Sequence, residues 1–434
     1  MSRSHQDRGR RRLTATETDL DVIEQRALLV AVASERDVVV AERSLDELAL
    51  LATTAGAEPV GSVLQRRDTP DVASYVGSGK MAELATRCAA DDIDLVIVDD
   101  ELSPAQQVNL EKACAVDVVD RVALILDIFA QHASSQEGMV QVELAQLRYR
   151  LPRLRGRGVE LSRLGAGIGT RGPGETKLET DRRRILRRVS HLEGDLTRLG
   201  RTRATQRRAR RRNAIPAVAL VGYTNAGKST LLNRLTGSEA LVADQLFSTL
   251  DPSTRRFVAP GGETIVLSDT VGFVQKLPHQ LVEAFRSTLE EVAEADLLVH
   301  VVDGSAPDAP AQIAAVREVL AEIQADEVPE LVVVNKTDIA DSRSVTEIVR
   351  AESACAVSAV TGTGLAELTA RITSMLRARH QVLELRVPFE RGDVMAALHR
   401  SGEVLLATHD DGATTVRARL APEDLGRFAE FAVN

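Results

Sequence analysis

Apolar positions follow two alternating spacings along the chain. Short apolar runs such as Ala27–Val32, Leu95–Val98 and Leu331–Val334 predict buried strands. Between these runs, apolar residues recur every three or four positions, which predicts amphipathic helices. Strands that alternate with helices are typical of parallel α/β domains. The pattern therefore predicts an α/β fold.

Breaks in this pattern divide the 434 residues into five segments. The predicted segments are a disordered basic tail (1–25), an N-terminal parallel α/β domain (26–137), a basic, coiled-coil-like helical hairpin with a Gly-rich loop (138–212), a nucleotide-binding domain (213–379) and a small C-terminal α+β domain (380–434).

Three features of the N-terminal domain carry specific expectations. Ser44 and Glu47 have the spacing of a capping box, which predicts a helix that begins there. The acidic run Asp99–Glu101 ends a strand and has two interpretations, caps for the following helix or a metal pocket, of which we favour the caps. The segment Gly77–Lys80 imitates half of a phosphate loop, but Ser74 stands where the motif needs glycine and Met81 cannot bind Mg²⁺.

A complete phosphate-binding motif lies in the fourth segment, where an apolar strand runs into a glycine-bounded loop and then a helix. Gly222 and Gly227 let the backbone fold round a pyrophosphate, Lys228 reaches the β- and γ-phosphates, and the Ser229 hydroxyl binds Mg²⁺. The predicted loop contacts are Gly222, Tyr223, Thr224, Asn225, Ala226, Gly227, Lys228 and Ser229.

A second motif identifies the base. In guanine-specific sites, the Asp of an N-K-x-D motif accepts hydrogen bonds from the guanine N1–H and N2 amine, and adenine would leave that carboxylate unpaired. The sequence therefore predicts GTP as the substrate. The residues expected at the base are Asn335, Lys336, Thr337 and Asp338, followed by the base-closing loop of Ser358, Ala359 and Val360.

Two further stretches are typical of switch loops that respond to the γ-phosphate. We expect Asp269 to hold Mg²⁺ through water, the Gly272 N–H to sense the γ-phosphate, and Thr249 to complete the Mg²⁺ shell with Ser229. The predicted switch contacts are Phe247, Ser248, Thr249, Leu250 and Asp251, and Asp269, Thr270, Val271 and Gly272.

The sequence identifies the catalytic group less directly than the nucleotide-binding residues. Ras-like enzymes place a water-orienting Gln after D-x-x-G, but Phe273 occupies that position, so intrinsic hydrolysis should be slow and stimulated from outside. Asn225 resembles the pattern of potassium-dependent GTPases, with K⁺ in place of an arginine finger; the alternative is a loop-stabilising side chain. His279 is expected to have a surface or cap role rather than a catalytic one. The predicted catalytic set is Lys228, Thr249, Asn225 and Gly272.

The charge of the third segment, the basic hairpin, adds a prediction about its binding partner. Residues 144–212 hold 21 Lys and Arg against 6 Asp and Glu, whereas the whole chain has a net charge of −9. This one-signed excess beside a projecting Gly-rich loop favours binding to a polyanion such as RNA over a merely solvated face. The three cysteines have no disulfide or metal spacing, and no long apolar run is present, so we expect a cytoplasmic protein without a membrane span.

As a set, several stretches resemble the HflX family of ribosome-associated GTPases, in the Obg-HflX group of P-loop GTPases. The stretches are 75–80, 99–104, 121–131, 141–149, 169–181, 222–229 and 247–251. The resemblance implies a Ras-like P-loop GTPase domain beside the N-terminal α/β domain and helical linker. It also implies binding to the large (50S) ribosomal subunit and its rRNA, and the splitting, recycling or rescue of stalled ribosomes under stress.

We further expect a monomer that associates with ribosomes or with a membrane surface. Two alternatives stay open: a signalling-type G protein that acts on protein partners, and an RNA-binding module with weak nucleotide activity.

Overall fold

The structure is a computed structural model that describes residues 25–162, 173–212, 215–238, 246–247, 253–276, 286–378, 381–410, 412–420 and 422–433. Several predictions fall wholly or largely outside these ranges: the disordered tail (all but 25), the Gly-rich loop (163–172 of 161–177), His279, and Ser248, Thr249, Leu250 and Asp251. The chain divides into two compact units. Unit 1 is 1–196 with 245–250 and 275–285, and unit 2 is 197–244, 251–274 and 286–434.

Unit 1 begins with alternating strands and helices. These are β1 (Gln25–Ala33), α1 (Val38–Thr54), β2 (Ala57–Arg66), α2 (Ser78–Ala90), β3 (Leu95–Val98), α3 (Pro104–Cys114), β4 (Asp117–Asp120) and α4 (Arg121–His132). The strands pair in parallel in the order β2-β1-β3-β4. All four residues of β3 are buried, because helices cover both faces of a parallel sheet.

Two local predictions in unit 1 are wrong. Helix α1 begins at Val38, six residues before Ser44, whose hydroxyl instead donates to the buried Asp99 carboxylate at 2.7 Å. The Asp99–Glu101 run does not cap α3; the cap is Ser103, which forms a capping box with Gln106. Among the described residues, no group of three or more His, Cys, Asp or Glu side chains could hold a metal ion. The hydrogen-bond roles of these side chains depend on partners that are distant in the sequence, which short-range spacing cannot reveal.

The basic segment forms two long helices, α5 (Gln136–Ser162) and α6 (Pro173–Arg212). Two ion pairs join them within unit 1: Arg188 with Glu143 at 2.6 Å, and Arg148 with Glu193 at 2.8 Å. Helix α5 buries Leu144, and α6 buries Leu192, so each helix contributes an apolar residue to the core, as a coiled-coil-like hairpin requires. The predicted Gly-rich connection, 161–177, is too long at both ends, because 161–162 belong to α5 and 173–177 to α6; its remaining part, 163–172, lies outside the described residues.

Unit 2 contains a six-stranded sheet in the order β10-β9-β8-β5-β7-β6. Its elements are β5 (Ala217–Gly222), α7 (Lys228–Thr236), β6 (Ser253–Val258), β7 (Thr264–Asp269), α8 (Arg286–Ala293), β8 (Leu297–Asp303), α9 (Ala309–Glu322), β9 (Glu330–Asn335), α10 (Ser342–Glu352), β10 (Cys355–Ala356) and α11 (Leu365–Ala378). Only β6 is antiparallel, to β7, among these described strands. The carboxyl ends of β5, β8 and β9 therefore share one edge.

The end of unit 2 is a small α+β arrangement with its own core around Leu385, Val416 and Phe428. Its elements are β11 (Gln381–Pro388), α12 (Gly392–Ser401), β12 (Gly402–His409), β13 (Ala413–Leu420), α13 (Pro422–Phe428) and a 3₁₀ turn (Ala429–Phe431). The three strands form an antiparallel sheet, β11-β13-β12. The predicted α/β fold class is confirmed.

Candidate nucleotide site

The phosphate loop occupies the turn between β5 and α7, and its glycines have separate physical reasons. Gly222 has φ of +146° and Gly227 of +89°, a region that favours glycine. A Cβ on Gly222 would lie 2.1 Å from the Val301 carbonyl oxygen of β8, and one on Gly227 would lie 2.4 Å from Nδ2 of Asn335. The loop is therefore pressed against both β8 and the base motif, which leaves no room for a side chain.

The Lys228 ammonium lies inside this loop. The side chain is buried, and its Nζ donates to the carbonyl oxygens of Gly222 at 3.1 Å and Tyr223 at 2.8 Å. Burial lowers the pKa of Lys228 to about 8, against the opposing attraction of the Asp269 carboxylate. The Lys228 ammonium is therefore buried among loop carbonyls, at the place where the motif predicts that it binds the β- and γ-phosphates.

Two residues predicted to act on Mg²⁺ lie together: Ser229, a direct ligand, and Asp269, which holds the ion through water. The Ser229 hydroxyl donates to Oδ2 of Asp269 at 2.6 Å, which joins α7 to the end of β7. Hydroxyl and carboxylate oxygens are the ligands that Mg²⁺ prefers. In the phosphate loop, Oγ1 of Thr224 is buried without a hydrogen-bond partner among the described residues. These residues fit a magnesium–phosphate group.

The D-x-x-G segment is joined to the phosphate loop through its backbone. The Thr224 N–H donates to the Phe273 carbonyl at 2.8 Å, and the Phe273 N–H donates to the Gly222 carbonyl at 3.1 Å. A Cβ on Gly272 would come within 2.7 Å of Thr224 Cγ2. The Phe273 ring is 2% exposed, so it is a packing residue. Sequence reasoning noted the missing Gln but not that its replacement anchors the two loops.

Asn335 connects the two ends of the site. Its Nδ2 donates to the Ala226 carbonyl of the phosphate loop at 2.9 Å, and its Oδ1 accepts from the Ala359 N–H of the base-closing loop at 3.0 Å. Next to it, the Lys336 ammonium pairs with Asp303 at 2.7 Å. The N-K-x-D spacing identified these residues, but the brace formed by Asn335 depends on contacts 109 and 24 residues away.

The base-reading residues differ in exposure. Ser358 and Ala359 are buried, and the Ser358 hydroxyl accepts from the Thr361 N–H at 3.1 Å, which closes the loop. Asp338 is exposed, and Val360 is 71% exposed. The side chain at 360 therefore points away from the loop core, so its identity has little effect on the loop fold.

The structure thus places most of the predicted site residues along one edge of the unit 2 sheet. Phe247 lies in unit 1, where its ring contacts Phe129 edge-on with centroids 4.7 Å apart. Thr270 lies beneath the phosphate loop, where its hydroxyl donates to the Leu220 carbonyl at 2.7 Å. The roles assigned to these residues in binding and catalysis stay predictions.

Comparison with known proteins decides the family. Three family models match successive parts of the chain: "GTP-binding GTPase N-terminal" over 42–130, "GTP-binding GTPase Middle Region" over 132–210, and "50S ribosome-binding GTPase" over 217–336. The GTPase HflX of Caldanaerobacter subterraneus is 48% identical over 412 residues, which cover 94% of each chain. The chain belongs to the HflX family of GTPases. The Escherichia coli GTPase HflX is 41% identical over 89% of this chain and 92% of its own length.

Among solved structures, a GTP-binding protein from Sulfolobus solfataricus in complex with GDP matches this HflX-family chain at 25% identity. That match covers 81% of this chain and 98% of the other, with a TM-score of 0.42. The family assignment rests on the sequence relatives and family models.

Membership of the HflX family confirms several predictions. The chain is a GTP hydrolase with a P-loop GTPase domain and an N-terminal α/β domain, and its nucleotides are GTP and GDP. No helix within the described ranges combines the length and apolar character needed to cross a bilayer.

Proposed function

We propose that this chain is a GTP-dependent factor that binds the large ribosomal subunit. GTP binding and hydrolysis are coupled to splitting, recycling or rescue of stalled ribosomes under stress. The observation that carries the proposal is the joining, in one chain, of the braced guanine-nucleotide site to two long helices, of which α6 is strongly basic. The match of 217–336 to a model described as a 50S ribosome-binding GTPase supports it.

At the site, each group has a definite task. The phosphate-loop N–H groups and the Lys228 ammonium bind the β- and γ-phosphates, and Asp338 selects guanine. Ser229 and Thr249 hold Mg²⁺, which neutralises charge on the transferring phosphoryl group when bound. The Gly272 N–H senses the γ-phosphate, and its missing side chain keeps the approach clear of Thr224.

Slow intrinsic hydrolysis follows from Phe273. Because its ring is buried and apolar, it cannot orient a water molecule, so stimulation comes from the ribosome or from K⁺. Asn225 is exposed, with φ of +57°, and its side chain makes no hydrogen bond among the described residues. Its exposure supports the K⁺ role, whereas its positive φ alone also explains an Asn.

The basic helices supply the RNA-binding surface. On α6, the side chains of Arg183 and Arg184 are 70% and 72% exposed, although each pairs with an acidic residue of its own helix. Exposed ion pairs of this kind contribute little to stability, so the guanidinium groups can exchange partners for RNA phosphates. Binding of this kind predicts affinity that falls steeply with salt. We place the protein in the cytoplasm as a monomer that reaches ribosomes, or a membrane surface, by diffusion.

The test measures GTP hydrolysis with and without purified 50S subunits, in K⁺ and in Na⁺ buffers. We expect 50S to raise turnover at least severalfold, and sucrose gradients to show 70S particles separating into subunits with GTP. Lys228→Ala should abolish nucleotide binding and both effects. An unchanged rate with 50S would favour a signalling G protein, and no hydrolysis under any condition would favour an RNA-binding module.

A further inference from the structure

The phosphate loop contains a buried hydroxyl whose purpose the fold does not explain. Thr224 is 7% exposed, and its Oγ1 atom has no hydrogen-bond partner among the residues that the structure describes. Thr270, beneath the same loop, differs, because its hydroxyl donates to the Leu220 carbonyl at 2.7 Å. A buried hydroxyl without a partner destabilises the folded protein, so it calls for a functional explanation.

Thr224 lies beside the two groups assigned to the γ-phosphate. The position that a Cβ on Gly272 would take is 2.7 Å from Cγ2 of Thr224 and 3.1 Å from Nζ of Lys228. The three residues therefore surround the same small space. In the proposed function, the Gly272 N–H senses the γ-phosphate and the Lys228 ammonium binds it, so Thr224 borders the space assigned to that phosphate.

The Thr224 side chain is also held in one orientation. Its N–H donates to the Phe273 carbonyl at 2.8 Å, which fixes the backbone, and its Cγ2 methyl group lies against Gly272. Because Thr is β-branched and its χ1 angle is stiff, fixing the methyl group also fixes the hydroxyl. Groups that are oriented before the reaction contribute most to catalysis, since they need no further ordering in the transition state.

GTP hydrolysis needs a group of this kind. The reaction joins a water oxygen to the γ-phosphorus and breaks the bond from that phosphorus to the β–γ bridging oxygen, and both protons of the water end on the released phosphate. Ras-like enzymes orient the water with a Gln after D-x-x-G, and Phe273 stands there in this chain. A hydroxyl has one donor and two acceptor sites, so it can accept from the water and donate to a γ-phosphate oxygen at once.

We propose that Thr224 is a catalytic residue whose hydroxyl orients the attacking water against the γ-phosphate, in the role of the missing Gln. It supports the slow intrinsic reaction and acts alongside stimulation by the ribosome or by K⁺. The assignment rests on the γ-phosphate roles proposed for Gly272 and Lys228. It goes beyond them because it concerns the water molecule rather than the phosphate.

The test measures single-turnover GTP hydrolysis by the full-length chain without ribosomes, with protein in excess over GTP. Thr224→Val keeps the shape of the side chain but removes the hydroxyl, and Thr224→Ser keeps the hydroxyl but removes the methyl group. We expect Thr224→Val to lower the hydrolysis rate by at least about tenfold, as the loss of one hydrogen bond to a charged group predicts, and Thr224→Ser to stay within about threefold of the parent.

Binding measurements separate catalysis from affinity. GDP lacks the γ-phosphate, so its affinity should stay within about twofold of the parent in both Thr224 variants. GDP with aluminium fluoride mimics the transferring phosphoryl group, so its affinity should fall together with the rate, and only in Thr224→Val.

Urea unfolding separates catalysis from folding. The hydroxyl that Thr224→Val removes has no partner in the described fold, so this variant should unfold at or above the parental urea concentration. Thr270→Val is the matched control for stability, because it leaves the Leu220 carbonyl unpaired and should unfold at a lower urea concentration.

Three results would overturn the assignment. Hydrolysis at the parental rate in Thr224→Val would show that the hydroxyl is not used. Equal losses of rate in Thr224→Val and Thr224→Ser would show that the position serves packing, and a matching loss of GDP affinity would show a role in binding alone. If the γ-phosphate site itself is wrong, Lys228→Ala would still bind GTP, and the assignment would fall with the site.

Discussion

The brace formed by Asn335 gives a direct test of how the nucleotide site is built. Asn335→Ala removes both hydrogen bonds of the side chain and leaves the Ala226 carbonyl and the Ala359 N–H without partners. Asn335 is 2% exposed, so water has little access to replace the lost groups. Each orphaned buried backbone group costs about 1–3 kcal/mol, which predicts a loss of about 2–6 kcal/mol in the free energy of unfolding of unit 2.

Nucleotide binding should weaken at the same time. The lost bonds fix the phosphate loop and the base-closing loop, so GTP and GDP should lose affinity by similar factors, since neither bond involves the γ-phosphate. Urea unfolding measures the first effect, and fluorescence titration with labelled GTP and GDP measures the second. The control is Asp338→Asn, an exposed change in the same motif that should alter stability by less than about 0.5 kcal/mol.

Two results would refute the reasoning about Asn335. Unfolding of Asn335→Ala at the parental urea concentration would show that the side chain does not brace the loops. A loss of guanine selectivity with unchanged stability would show that it contacts the base instead.

Three other predictions follow from single groups. Asp338→Asn should exchange guanine for xanthine specificity, because an amide can donate to the xanthine O2 where the carboxylate accepted the guanine amine; competition between GTP and XTP measures this, and unchanged GTP preference contradicts it. Lys228 has a pKa of about 8 in the folded protein against 10.5 ordinarily, so between these pH values the unfolded chain binds more protons, and the free energy of unfolding should rise with pH by up to about 3 kcal/mol. Denaturation curves at pH 7.5 and 9.5 measure this rise, which Lys228→Met should abolish. An equal rise in both proteins would contradict the burial of the charge. Asp127 of α4 shows the reverse: burial raises its pKa from 3.8 to about 7, so stability should fall as pH rises through that range; Asp127→Asn should match the parent near pH 4 and exceed it at pH 8 by up to about 4 kcal/mol, and equal stability at both pH values would contradict the shift.

The parts of the fold that the sequence predicted are those with strong local signals. The apolar β3 run became a buried strand, and the glycine-bounded motif became a strand–loop–helix turn with Lys228 at the first helical position. Such features depend on residues close together in the chain, where periodicity and motif spacing carry the information.

The parts that were missed depend on distant partners. Ser44 has the spacing of a helix cap, yet it lies inside α1, and its hydroxyl donates to the Asp99 carboxylate 55 residues away. Phe273 reads as a lost catalytic residue, yet its backbone joins the phosphate loop. A cavity of about 290 Å³ that Asp127 lines has no motif at all, because α4 and α5 assemble it only after folding. Local patterns contain no record of such contacts.

The close approach of Gly222 to Val301 has a practical consequence for choosing an inactive variant in cells. Any side chain at position 222 would push β5 and β8 apart. A loss of function in cells after that substitution would therefore reflect misfolding rather than a specific loss of nucleotide binding. Lys228→Ala shortens a side chain without adding bulk, and it leaves the strand spacing intact. Complementation experiments that compare the two variants can thereby separate the need for nucleotide from the need for the protein itself.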